Sequence, residues 1–254
     1  MRIYMFSAMQ KKAGEMVRRY KIADVVFDAE FIYAYTAHVC QNYLYANDGA
    51  PEFFIKMTDA DVLEESERSP GFEKPYLESL AFYRKLLGFL LDRNAIIFHS
   101  SALAVDGKAY LFTAPSGTGK STHARLWREL LGDKVVMIND DKPIVRLVDG
   151  KFFVYGTPWN GKHELDTNCR AQVQAICKLE RGEQNSICKI SPNEMLPTLL
   201  SQTLRANNQS DVDKLLPLAV ALLNGVSLYK LKCNMHVSAA ELSYKTMSEG
   251  NHEN

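Results

Sequence analysis

One stretch of this chain limits what it can fold into more than any other. Residues 114–121 read Ala114, Pro115, Ser116, Gly117, Thr118, Gly119, Lys120 and Ser121. An apolar run over 108–113 leads into it, and a helical pattern over 123–131 leads out. That order predicts a strand, a glycine turn and a helix. A phosphate needs its charge neutralised, and the unpaired N–H groups of a helix's first turn can do this where side chains leave them open. Gly117 and Gly119 provide that clearance. Pro115, Ser116, Thr118 and Thr122 complete the cradle, Lys120 reaches the β and γ phosphates of ATP, and the Ser121 hydroxyl is placed to ligate Mg²⁺. By average residue usage such a pattern arises by chance in about 2% of chains this long. Ala114 stands where glycine is usual, and alanine adopts mirror-region backbone only at a cost.

A strand-like run over 135–138 ends at Asn139, Asp140 and Asp141. In open α/β sheets the carboxyl ends of strands face the ligand. An acid there can hold Mg²⁺ or take the proton of an attacking hydroxyl, so Ser121, Asp140 and Asp141 are the metal candidates. His99 follows an apolar run over 95–98; by itself it reads as a structural histidine, and His123 as a plain helix residue. Residues 156–164 combine turn formers with Trp159, Lys162, His163 and Glu164, and the pattern fits an acceptor-binding loop as well as a structural turn.

Lys+Arg and Asp+Glu both number 30 in 254 residues, which argues against a nucleic-acid partner. The five cysteines, at 40, 169, 177, 188 and 233, form no CxxC pair and read as reduced thiols. The first residues resemble no signal peptide, and no apolar run reaches membrane-spanning length. A cytoplasmic protein with no membrane partner is the expectation.

The chain predicts a small α+β module over 1–75, a catalytic domain over 76–248 and a tail over 249–254. Within the module, 3–6, 22–27 and 53–57 read as strands, 31–45 as helix or long strand, and the acidic 59–74 with Pro70 and Gly71 as a linker. A helix is expected over 76–91, with Leu80, Tyr83, Leu87 and Leu90 on one face. Strands at 95–98 and 102–105, a hairpin turn at Asp106 and Gly107, and a strand at 108–113 follow. Further strands are expected over 152–155, 175–179 and 227–231, with helices over 204–223 and 238–247, the last capped by Ser238.

Together, His99, the Ser116–Ser121 loop and the Asp140, Asp141 pair resemble the HPr kinase/phosphorylase catalytic domain. The loop core also resembles ATP-dependent phosphoenolpyruvate carboxykinases (PEPCK), which share that fold. The likeness is best over 94–145, and a Gly-Thr-Pro-Trp segment at 156–159 and a Leu-Glu-Arg-Gly segment at 179–182 also occur in HPr-kinase-like proteins. The resemblance implies an α/β, HPr kinase/PEPCK-like P-loop domain that uses ATP and Mg²⁺ to phosphorylate a serine of a protein or peptide. It implies Asp140 as base, Asp141 as metal or orienting group, and His99 as the group that tunes the base, beside Lys120. It also implies a homo-oligomer. The family's acceptor-binding signature is absent, which leaves the acceptor open. A small-molecule kinase, with Lys162, Arg170 and Arg205 as candidate lining residues, and a non-catalytic nucleotide-binding regulator are the alternatives. A carboxykinase is the weakest, because those enzymes are much longer.

Overall fold

The computed structural model describes residues 17–203 and 209–249. The strand expected over 3–6, the start of the helix expected from 204, Arg205 and the end of the tail lie outside them. The chain falls into two compact units, Met1–Leu90 and Leu91–Asn254.

In the first unit, β1 (Arg18–Ile22) and β2 (Val25–Glu30) form an antiparallel hairpin, and β3 (Phe54–Lys56) lies parallel to β2. The single strand expected over 22–27 is broken by Ala23 and Asp24, whose φ values of 54° and 59° reverse the chain in a two-residue turn. The ambiguous 31–45 segment is a short helix, α1 (Ala34–Val39), followed by a 3-10 turn. The expected linker over 59–74 instead holds α2 (Asp59–Arg68). Thr58 accepts from the Asp61 N–H while the Asp61 carboxylate accepts from Thr58, so a capping box starts a helix that its low apolar content conceals. Residues 76–91 belong to α3 (Lys74–Leu91), buried over more than one face, with Phe82, Leu86 and Leu90 fully covered. Phe82 meets Phe27 and Phe31, and Phe53 stacks between Phe27 and Phe89. Glu78, fully buried on α3, accepts from the N–H groups of Ile32 and Tyr33 and from Thr36 Oγ1, which satisfies the open start of α1.

The second unit is a mixed α/β layer structure. Its central strands are β4 (Ala95–Ile97), β8 (Ile144–Val148), β9 (Lys151–Tyr155), β10 (Arg170–Arg181), β6 (Lys108–Thr113), β5 (Ser101–Val105) and β7 (Val135–Asn139), in that spatial order. The twelve-residue β10 pairs with β9 by its first residues and with β12 (Ser227–Cys233) by its later ones, while β6 lies on its other side; β11 (Ser186–Lys189) pairs with β12. Asp106 and Gly107, both at positive φ, make the expected tight turn between β5 and β6. Strands β8 and β11 and the helix α5 (Pro192–Gln202, capped by Ser191) lie where no element was expected.

Both sheet faces are covered, which is why its inner strands read as continuous apolar runs. Tyr110 and Phe112 face a core with Trp127 of α4 (Lys120–Leu131) and Ala240 and Met247 of α7 (Val237–Glu249). Ala109 and Leu111 face the opposite core with Met195 of α5 and Leu218 and Leu222 of α6 (Gln209–Gly225). Ser238 falls inside the first turn of α7 and accepts from Asn185 Nδ2, so it is not the cap. Trp127 and His123 both bond the Ser243 hydroxyl, at 2.8 and 2.9 Å, tying α7 to α4. The five cysteines are free thiols, and no helix among the described residues is long and apolar enough to cross a membrane.

Removing a fully buried indole leaves a cavity and takes one of its hydrogen bonds from the Ser243 hydroxyl. Trp127→Ala is expected to cost about 3–5 kcal/mol, read as a lowered urea midpoint; a loss under about 1 kcal/mol shows that α4 is not anchored through this residue.

Candidate functional site

Strand register builds the site. β5 runs antiparallel to both β6 and β7, with Ser101 opposite Phe112 and Ala102 opposite Asn139. One further step brings the start of β5 beside the two aspartates, and the Ser100 N–H donates to the Asp141 carbonyl at 3.2 Å. Thr113 Oγ1 donates to the His99 carbonyl at 3.2 Å. The end of β6, the end of β7 and the residues before β5 therefore share one edge of the sheet.

From that edge the glycine loop rises into α4. Gly117 and Gly119 have φ of 77° and 127°, and a Cβ on either would project into open space with no protein atom within 4 Å. Their conformation, not crowding, requires glycine. Ala114 is fully buried in the α4-side core. Lys120 is folded back, its ammonium donating to the Ala114 carbonyl at 2.9 Å. Burial lowers the Lys120 pKa, and the charges of Asp141 and Asp140 oppose that shift. Arg181 Nη2 donates to the Gly117 carbonyl at 2.6 Å. This contact from the end of β10 was not foreseen, although residues 179–182 had been singled out.

The two aspartates lie in the bend that follows β7 and meet different partners. Asp140 is buried, accepts from Ser101 Oγ at 2.6 Å, and lines a cleft of about 280 Å³ with Ser121 and Thr122. Asp141 meets His99 Nε2 at 3.0 Å and the Lys142 ammonium. The histidine thus partners Asp141 and not Asp140. Burial alone would push the Asp141 carboxyl up; the His99 hydrogen bond and the Lys142 charge outweigh it and hold it at about 2. A hydrogen-bond donor and a lysine charge beside a carboxylate both favour its ionised form.

Asn139, to which no role could be assigned from the sequence, fixes this arrangement. Fully buried, it accepts from the Asp141 and Lys142 N–H groups at 2.9 and 2.7 Å and donates to the carbonyl and hydroxyl of Thr157. Residues 156–164 serve structure first. Gly156 passes so close to the chain that a Cβ would sit 2.0 Å from the Thr167 carbonyl oxygen, and Trp159 is buried. Only His163 and the following Leu165 reach the cleft. His123 is buried in the core and its pKa is pushed down to about 4 by burial. Of the proposed acceptor-lining cations, Arg170 instead donates to the Tyr155 hydroxyl and lies over the Phe153 ring, and Lys162 does not line the cleft. The cations that do line it are Arg125 and Arg128 of α4. Their four- and seven-residue spacing from Ser121 was the available signal.

Among the described residues, no group of three or more His, Cys, Asp or Glu is gathered as a metal cage. Mg²⁺ needs none, since one or two carboxylates with phosphate oxygens and water suffice. The Asp140 carboxylate and the Ser121 hydroxyl, on one cleft, are donors of the right hard-oxygen type.

No protein-family model and no curated protein matches this chain. Among solved structures, the HPr(Ser) kinase/phosphatase from Coxiella burnetii is similar over 61% of this chain and 94% of that chain, at 11% identity and a TM-score of 0.33. A likeness this loose assigns no role to any residue here.

The Asp141 carboxyl ionises more readily in the folded than in the unfolded chain. Its charge therefore stabilises the fold above the unfolded value of 3.8, and this stabilisation is lost as pH falls through about 2. A shift of that size corresponds to about 2 kcal/mol. Asp141→Asn should flatten the loss of stability between about pH 4 and pH 2; an unchanged acid transition would show that the His99 and Lys142 contacts do not stabilise the fold.

Proposed function

We propose that this chain is a phosphotransferase that uses ATP and Mg²⁺ to phosphorylate a hydroxyl, with a serine of a protein or peptide as acceptor. The observation that carries the reading is the convergence of Lys120 and both aspartates at the open, glycine-lined N-terminus of α4. The Lys120 ammonium donates to the neutral Ala114 carbonyl; a triphosphate would offer it a stronger, charged acceptor. The amides of the loop and of the first turn of α4 would take the remaining phosphate oxygens.

The geometry supports exchanging the roles the resemblance implied for the two acids. Asp140 shares its cleft with Ser121 and is the better candidate for the Mg²⁺ side, with Ser101 holding its other face. Mg²⁺ held there would neutralise charge growing on the β and γ phosphate oxygens. Asp141, oriented by His99 and Lys142, is the candidate for the acceptor side. In the transfer, the serine oxygen bonds to the γ-phosphorus, the bond from that phosphorus to the ADP oxygen breaks, and the serine proton passes to Asp141. A carboxylate held at about 2 is a weak base. That is tolerable because phosphoryl transfer through a loose transition state asks mainly for orientation of the nucleophile.

Binding and transfer separate in the test. At a hundredfold excess over Kd, MgATP should stabilise the parent by about 2.7 kcal/mol, and Lys120→Ala should lose that gain while staying folded. Equal binding by the variant sinks the reading of the loop. Asp141→Asn should bind MgATP normally and lose about 10²- to 10⁴-fold in kcat, whereas Asp140→Asn should raise the Mg²⁺ concentration needed for activity. The opposite pattern returns the base to Asp140.

A further inference from the structure

The cleft that opens at Ser121 and Asp140 continues along α4. Ser121, Arg125 and Arg128 follow one another at steps of four and three, one stripe of a helix. Seven residues at helical rise carry that stripe about 10 Å from the phosphate end. Met137, His163 and Leu165 form the remaining wall. Arg125 shares its guanidinium with Glu129, one turn on. Among the described residues Arg128 makes no ion pair, and the His163 side chain has no hydrogen-bond partner. The groove is thus polarised along α4: a carboxylate and a hydroxyl at the Ser121 end, then the Arg125 guanidinium and the uncompensated Arg128 guanidinium, with the His163 imidazole also in its lining.

Resting on the phosphotransferase reading, we propose that this groove selects the acceptor by charge: it takes an extended polypeptide with an acidic side chain about three residues from the serine that is phosphorylated. Asp141, the acid proposed for the acceptor side, directly follows Asp140 in the chain and so adjoins that end of the groove; three residues of extended chain span about 10 Å, the length of the stripe from Ser121 to Arg128. Arg128 is the specificity-determining residue, because a planar guanidinium can grip a carboxylate through two parallel hydrogen bonds. Arg125 and His163 add positive and polar surface around it. The open groove suits a chain passing through it, and the acid at the transfer end disfavours an acidic residue immediately beside the serine.

The test uses the full chain, Mg²⁺, γ-labelled ATP and alanine-rich peptides that carry one serine, along which a single aspartate, glutamine or lysine is moved stepwise. Small hydroxyl compounds bearing a phosphate are run in parallel. The expected result is a kcat/KM about five- to tenfold higher for aspartate three places from the serine. Arg128→Glu should reverse that preference towards lysine, Arg128→Lys should keep most of it, and MgATP affinity should stay the same in both. Equal kcat/KM for acidic, neutral and basic peptides overturns the inference, as does a preference that survives Arg128→Glu. Label appearing only in the small phosphate-bearing compounds, or in nothing while MgATP still binds, also overturns it and leaves the nucleotide site standing. A parent that binds no MgATP removes the phosphotransferase reading and this inference with it.

Discussion

The buried side chain of Asn139 sets the geometry of the site. Its amide oxygen takes two successive backbone N–H groups just past β7, and its amide nitrogen is spent on Thr157. No water competes for these bonds at a fully covered residue, so each unmade bond would leave a buried polar group stranded. The chain must therefore turn in one way at the end of β7. That turn sends Asp140 towards α4 and Asp141 towards His99, and it docks the 156–164 segment, which brings His163 and Leu165 to the cleft.

Charge balance explains how such a site can be buried. Lys120 is largely buried yet answered by Asp141 and Asp140, and Asp141 is further matched by His99 and Lys142. Paired charges can be buried where single ones cannot. Arg181, at the end of β10, holds the loop through the Gly117 carbonyl.

Much of the layered unit was legible because its strands are covered on both faces. Runs such as 108–113 and 175–179 had to be apolar throughout, and they stand out against turns with positive φ at Asp106 and Gly107. The element missed most plainly, α2, is mostly acidic and polar; its start is written in a capping box and not in an apolar stripe. β8, β11 and α5 lack the length or the clean periodicity that separates a short element from a loop. At the site, the glycine loop and the two aspartates could be read because their chemistry is local. The pairing of His99 with Asp141, the Arg181 contact and the cationic wall of Arg125 and Arg128 depend on register and helix phase, which no single motif records.

By itself the sequence determined that residues 114–121 would be a glycine loop between a strand and a helix, because a lysine after two glycines in that setting satisfies local backbone and charge demands alone. It also determined that two acids would end a buried strand. Only the tertiary structure decided which acid faces the cleft and which the histidine, since that depends on the antiparallel register of β5 with β7 and on the Asn139 bonds that freeze the turn. It likewise decided that the basic wall would come from α4 and not from the 156–164 loop, because helix phase turns Arg125 and Arg128 to the side on which Ser121 and Asp140 lie.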